Sequence, residues 1–354
     1  MTSGQWRFRL AKNWLLLLSL ALLSLCFIWA TQTAVATETI ISSNSDGAAT
    51  NIDNRRIMKD CSNTQSGLLP LTDMHRIVYE GFPGGLYTSN NEVPGDHLQI
   101  GLTASQSIEP LNKQGQPNSS GKIVFLSLGM SNTKQEFDKF VGLAQGQTNE
   151  AVVMENGARA GYDAAEIADP ASDYWTLIDT GLANRDLSRL QVQAIWVKQA
   201  IAGESSQFPQ DALKLQNYLR TIVLIAKNRY PNAEAIYFSS RAYGGYAEPH
   251  SASPEPWAYQ SGFAVKWLIA SQINGSDPSL AYDNAPWLAW GPYLWADGLN
   301  PRSDGLIWEC ADFENDGTHP SPAGELKVAN LLLNFFMNDP TTQWFPNSQA
   351  GVQR

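Results

Sequence analysis

An α/β domain with a mainly parallel sheet is the architecture this sequence predicts. Two observations predict it. Short apolar runs alternate with longer stretches of helical period, the pattern of strand–helix–strand crossovers. The chain is also long and apolar enough for a large core. It has 354 residues, 43% of them hydrophobic, with 12 Trp, 12 Tyr and 13 Phe. That suffices to bury a core without metal or multiple disulfide staples, and it excludes global disorder.

The elements follow in order. Residues 122–128 form an apolar run that ends at a glycine, read as a buried strand. A helical stretch covers 134–144, and a second strand covers 151–154. The third strand is 191–197. Residues 209–230 have helical period, and Pro231 stands just past their end. The fourth strand is 233–238, followed by a helix over 256–273. A fifth strand lies within 287–290. A helix over 322–337 closes the domain, with Pro322 near its start and Leu and Phe on one face. No internal repeat is present.

The N-terminus has a different character. Arg7, Arg9 and Lys12 precede an apolar run of 17 residues, 14–30, and then Ala34-Val35-Ala36. This is the three-part layout of a secretory signal peptide over residues 1–36, so the chain reads as secreted, periplasmic or extracellular. An uncleaved N-terminal signal anchor is the alternative, because the run is close to the length that spans a bilayer. Residues 37–60 read as a flexible linker. Residues 61–120, rich in Gly, Pro and Asn, read as an irregular extension wrapped on a main domain of 121–345.

Only 16% of residues are charged, against roughly 25% in an average domain. The formal charge is −10, and cleavage after Ala36 would take it to −13. Such a chain has no general attraction for nucleic acid or anionic lipid. Cleavage would also leave two cysteines, Cys61 and Cys310. In an exported chain these suggest one disulfide tying the start of the domain to a segment near its end; two buried free thiols are the other reading.

In open α/β sheets, sites form at the carboxyl ends of strands. After the first strand comes Leu128-Gly129-Met130-Ser131-Asn132-Thr133. A serine between a strand end and a helix start can serve as a nucleophile whose own N–H faces a developing oxyanion; it can equally cap the helix. It is not a Gly-x-Ser-x-Gly elbow, because position 133 is Thr. A base is needed, and there are four histidines: His75 and His97 in the extension, His250 in a Pro-rich loop, and His319. Asp316 and His319 are three apart in a loop before the last helix. A tight turn there can hold the carboxylate against the imidazole N–H.

On these residues the sequence resembles the SGNH (GDSL-type) hydrolase superfamily over residues 122–336. Leu128-Gly129-Met130-Ser131 resembles its strand and Gly-Asp-Ser block, with Met130 in place of Asp. Residues 156–161, ending in Gly161, resemble its second block. Gln199 stands where the family has the Asn of Gly-x-Asn. Asp316 to Pro320, then Gly324, resembles Asp-x-x-His-Pro and is the most specific block. The resemblance implies a three-layer α/β/α, flavodoxin-like fold. It implies Ser131 as nucleophile, His319 as base and Asp316 as its orienting acid. The oxyanion donors would be the N–H groups of Ser131 and Gly161 and the carboxamide of Gln199. Gln199 keeps the donor but adds a methylene, and one misplaced donor costs about 10²–10³ in rate.

The implied activity is serine ester hydrolysis through an acyl-enzyme, on acetyl or other acyl esters of carbohydrates or small molecules. A catalytically weak carbohydrate-binding relative is the alternative. Trp290 and Trp295, within a Trp-rich segment, offer a stacking floor for a sugar ring, or act as core anchors. Arg241, just after the fourth strand, suits a polar or anionic substrate group, or a structural ion pair. Asp312, Glu314 and Asp316 lack an EF-hand pattern, and no Cys/His cluster has metal spacing, so neither metal nor cofactor is expected.

Overall fold

Five parallel strands form the centre of the chain. They are described by a computed structural model covering residues 58–347, apart from 89, 204–205, 249–250 and 252. The expected signal peptide, almost all of the linker, and His250 lie outside the described residues. Two short antiparallel strands, β1 (Val78–Tyr79) and β2 (Phe82–Pro83), and a helix, α1 (Gly95–Ser107), come first. The main sheet is built from β3 (Ile123–Gly129), β4 (Val152–Asn156), β5 (Val192–Lys198), β6 (Ala235–Ser239) and β7 (Trp287–Trp290). Its order is β4-β3-β5-β6-β7, with every neighbour parallel. All five strands expected from the apolar runs are present.

The strands of the middle, β3, β5 and β6, are buried at every position, which requires cover on both faces. The crossovers supply it. Helix α2 (Ser131–Ala144) links β3 to β4, and α4 (Asp173–Asn184), after a single turn α3 (Ala164–Ile167), links β4 back across to β5. Right-handed crossovers in opposite directions put α2 and α4 on opposite faces. Helices α5 (Gln210–Arg229) and α6 (Trp257–Ile273) follow β5 and β6, and α7 (Pro322–Asn338) packs against α2. The result is a three-layer α/β/α domain. The Phe125 ring on β3 meets Phe137 of α2 and Phe336 of α7, with centroids 5.5 and 4.6 Å away.

Three helices were not expected from sequence. The 61–120 segment is not irregular throughout, because it contains α1. The buried face of α1 is His97, Gly101 and Ser105, four apart and without a large apolar side chain. Gly101 is small for a reason: a Cβ there would lie 2.4 Å from the Trp287 ring. Helix α3 is set by a capping box between Asp163 and Glu166, and α4 by the Ser172 side chain accepting from Tyr174 N–H.

Cys61 and Cys310 form the expected disulfide, with Cα atoms 5.4 Å apart. Among the described residues no helix is long and apolar enough to cross a membrane.

Candidate active site

The chain leaves β3 for one neighbour and later returns to the other, so the carboxyl ends of β3 and β5 flank a switch point. Ligand crevices form at such points. Gly129 makes the turn possible. A Cβ at 129 would sit 2.4 Å from Lys198 O and 2.3 Å from Thr133 Oγ1. Thr133 Oγ1 in turn donates to Lys198 O at 2.7 Å, stitching α2 to the end of β5.

Ser131 is the first residue of α2, after Met130, which is buried and makes no side-chain cap. The capping reading of Ser131 is therefore not what its hydroxyl does. Ser131 Oγ lies 2.7 Å from His319 Nε2, and His319 Nδ1 lies 2.5 Å from Asp316 Oδ2. The first intrahelical bond of α2 runs from Lys134 N–H to Met130 O. The amides of 131, 132 and 133 therefore precede it at the positive end of the helix.

The loop carrying Asp316 and His319 is held from several sides. Asp316 Oδ1 accepts from the amides of Thr318 and His319, each at 2.9 Å. Glu314 N–H donates to His319 O at 2.8 Å. Gly317 has φ +66°, and a Cβ there would meet Tyr246 O at 2.2 Å. Asn132, next to Ser131, donates through Nδ2 to Thr318 O at 2.7 Å. Burial raises the Asp316 pKa, but the bonds from His319 and from the amides of 319 and 318 outweigh it. The carboxyl is held below its usual range. The His319 and Asp316 side chains are each 37% exposed, so the group opens to solvent.

The other expected oxyanion donors lie in the loops after β4 and β5. Gly161 is exposed with φ +85°. Its loop is tied to the end of β3 by Arg159 N–H donating to Gly129 O at 2.9 Å. Gln199 is buried. Its Oε1 accepts from Ala200 N–H at 2.8 Å and its Nε2 donates to Tyr162 O at 3.0 Å. That contact uses one of its two Nε2–H groups and joins the two loops.

Under the serine lies an ion pair that sequence reasoning missed. Lys198, just before Gln199, bonds both oxygens of Glu136 on α2, with side chains 1% and 2% exposed. Burial lowers the Lys198 pKa to about 8, against the opposing pull of Glu136. The sequence signal was faint: a lone lysine ending an apolar strand.

Three expected substrate contacts are corrected. Trp290 and Trp295 are 4% and 0% exposed, and their indole N–H groups donate to Leu86 O and Glu255 Oε1. They are core anchors, with no ring face left for a sugar. Arg241 is 5% exposed, and its Nε and Nη1 have no hydrogen-bond partner among the described residues. Burial lowers its pKa while Glu136, Glu255 and Asp316 hold it up. It is a buried cation behind the group, not a surface contact. His97 is a core residue between Tyr282 Oη and Leu288 O, its pKa lowered by burial to about 4. A cleft of about 740 Å³ runs past Ala247, which also backs Gly317. Gln65, Tyr243, Glu248, Glu255 and Trp257 line it.

Comparison with solved structures returns low-identity likenesses. A protein of Slackia heliotrinireducens assigned as an SGNH hydrolase is 18% identical, covering 61% of this chain and 99% of its own, with TM-score 0.33. The periplasmic domain of a Salmonella Paratyphi A lipopolysaccharide acetyltransferase is 11% identical, covering 72% and 100%, with TM-score 0.35. A carbohydrate acetylesterase of Xanthomonas citri is 11% identical, covering 60% and 55%, with TM-score 0.31. No family model and no curated protein matches the sequence. At these scores the likenesses carry no argument about activity, which must come from the site.

Proposed function

We propose that this chain is an exported serine hydrolase of the SGNH type that cleaves acyl esters through an acyl-enzyme. The observation that supports this best is the run of contacts from Ser131 Oγ to His319 Nε2 and from His319 Nδ1 to Asp316. In the proposed mechanism His319 Nε2 takes the Ser131 proton as Oγ attacks the ester carbonyl. Asp316 stays ionised and holds the imidazole in the Nδ1–H tautomer. The tetrahedral oxyanion is met by the N–H groups of Ser131 and Gly161 and by the remaining Nε2–H of Gln199. Collapse expels the alcohol, which His319 protonates, and leaves the acyl group on Ser131. A water deprotonated by His319 then attacks, releasing the acid and the free serine.

Esters of carbohydrate alcohols are the proposed substrates. This reading rests on the family resemblance. The cleft past Ala247 is lined by none of Ser131, Asp316 and His319; it adds the Glu248 carboxylate, the Gln65 amide and the half-buried Trp257 indole as polar and aromatic groups behind Gly317. Export is supported by the signal-like N-terminus and by the disulfide, which persists in oxidising compartments.

The test compares the purified protein with Ser131→Ala and His319→Ala on a chromogenic acetyl ester. Turnover lost by at least about 10³-fold in both variants, with thermal stability retained, is expected. Retention of turnover by Ser131→Ala would sink the reading.

A further inference from the structure

Besides Tyr246, which backs Gly317, the Asp316/His319 loop has two walls, and only one comes from the helix that carries the serine. That wall is Asn132, donating to Thr318 O. The other comes from residues 59–61, some 250 positions away in sequence. Lys59 Nζ donates to the carbonyls of Cys310 (2.8 Å) and Phe313. Lys59 N–H donates to Asn315 O at 2.6 Å, immediately before Asp316. Asp60 N–H donates to Tyr246 O at 2.9 Å, the carbonyl against which Gly317 packs. Cys61 is bonded to Cys310.

We propose that Lys59 and the Cys61–Cys310 disulfide are positioning residues that hold His319 and Asp316 in line with Ser131, so that activity depends on Cys61 and Cys310 staying joined as the disulfide. This rests on the catalytic reading of Ser131, His319 and Asp316. Besides the internal bonds of Asp316, the side chains of Asn132 and Lys59, which anchor the loop and its approach, both come from other parts of the chain. Lys59 is partly exposed and Cys61 exposed, so water competes for the three carbonyls that Lys59 engages. The disulfide keeps the ammonium and amide of Lys59 at high effective concentration beside them. Reduction by a dithiol breaks the S–S bond. Two electrons and two protons pass to the chain, giving two thiols, and the dithiol closes to its cyclic disulfide. Lys59 is then free to leave, and the loop keeps the Asn132 bond and its packing on Tyr246. A shift near 1 Å at a catalytic group costs on the order of 10²-fold in rate.

The experiment uses the full chain, Cys61→Ser/Cys310→Ser, Lys59→Met and Lys59→Arg, at a temperature where thermal unfolding shows each folded. Ester hydrolysis and the low-field proton resonance of the His319–Asp316 hydrogen bond are both measured. In the wild type, dithiothreitol should lower kcat by about tenfold or more with KM within twofold, reversibly on reoxidation. The double-serine variant should start low and ignore dithiothreitol. Lys59→Met should lower kcat, and Lys59→Arg, with donors for the same carbonyls, should restore most of it. The low-field proton should broaden or vanish on reduction and in Lys59→Met. An unchanged resonance on reduction, or kcat within twofold in both folded variants, overturns the proposal. A wild type that hydrolyses no ester counts against the catalytic reading, and the resonance then decides the positioning role by itself.

Discussion

Glu255 shows how far one carboxyl can depart from its usual behaviour. It accepts from Gly244 N–H, Trp295 Nε1–H and Tyr259 N–H, yet burial outweighs these bonds and raises its pKa to about 7. In the unfolded chain it would titrate near the ordinary Glu value of about 4.3. Between those values the folded state binds more protons than the unfolded state. Its contribution to stability is thus complete below about pH 4 and is lost as pH rises through 7. Glu255→Gln should make the melting temperature less dependent on pH between 5 and 8, as read by calorimetry at several pH values. Asp316 behaves in the opposite sense. Its lowered pKa gives stability present above the ordinary Asp value and lost as pH falls through the folded one. At this scale Ser131, Asp316 and His319 could be singled out only by their combination and by the blocks that carry the family resemblance, because a serine or an Asp-x-x-His at such places can equally be a cap. Trp290, Trp295 and Arg241 were ambiguous, since burial alone decides whether an indole or guanidinium faces substrate or core.

The elements were legible to different degrees. Strands β3, β5, β6 and β7 stood out because a strand buried on both faces reads as a largely continuous apolar run. The edge strand β4, mostly half-buried, is legible from its short Ala-Val-Val-Met run. Helix α1 was hidden because its buried face uses His, Gly and Ser, which leave no hydrophobic period. The link between α2 and β5 also escaped sequence reading. Glu136 and Lys198 are 62 residues apart, and no local pattern pairs them. Their burial makes the pair sensitive to single changes. Lys198→Met should destabilise the protein by about 3–5 kcal/mol, because it strands a buried carboxylate. Lys198→Met/Glu136→Leu should recover most of that loss. Urea unfolding of the three proteins checks both statements; equal midpoints for the single variant and the wild type would count against a buried pair.

Across the whole molecule, the disulfide joins positions 249 residues apart. Its removal should cost about 2–5 kcal/mol, or on the order of 3–8 °C in melting temperature for a domain of this size, read by thermal unfolding of Cys61→Ser/Cys310→Ser. By itself the sequence determined the α/β class, the five strands and the residue types able to perform acyl transfer, because these depend on local period and side-chain chemistry. Only the tertiary structure decided that Ser131, 188 positions from His319, meets its imidazole at 2.7 Å. Only it decided that the Trp rings turn inward and that residues 59–61 wall the Asp316/His319 loop. Those outcomes follow from chain crossovers and packing, where long-range burial and hydrogen bonding override any signal carried by neighbours in sequence.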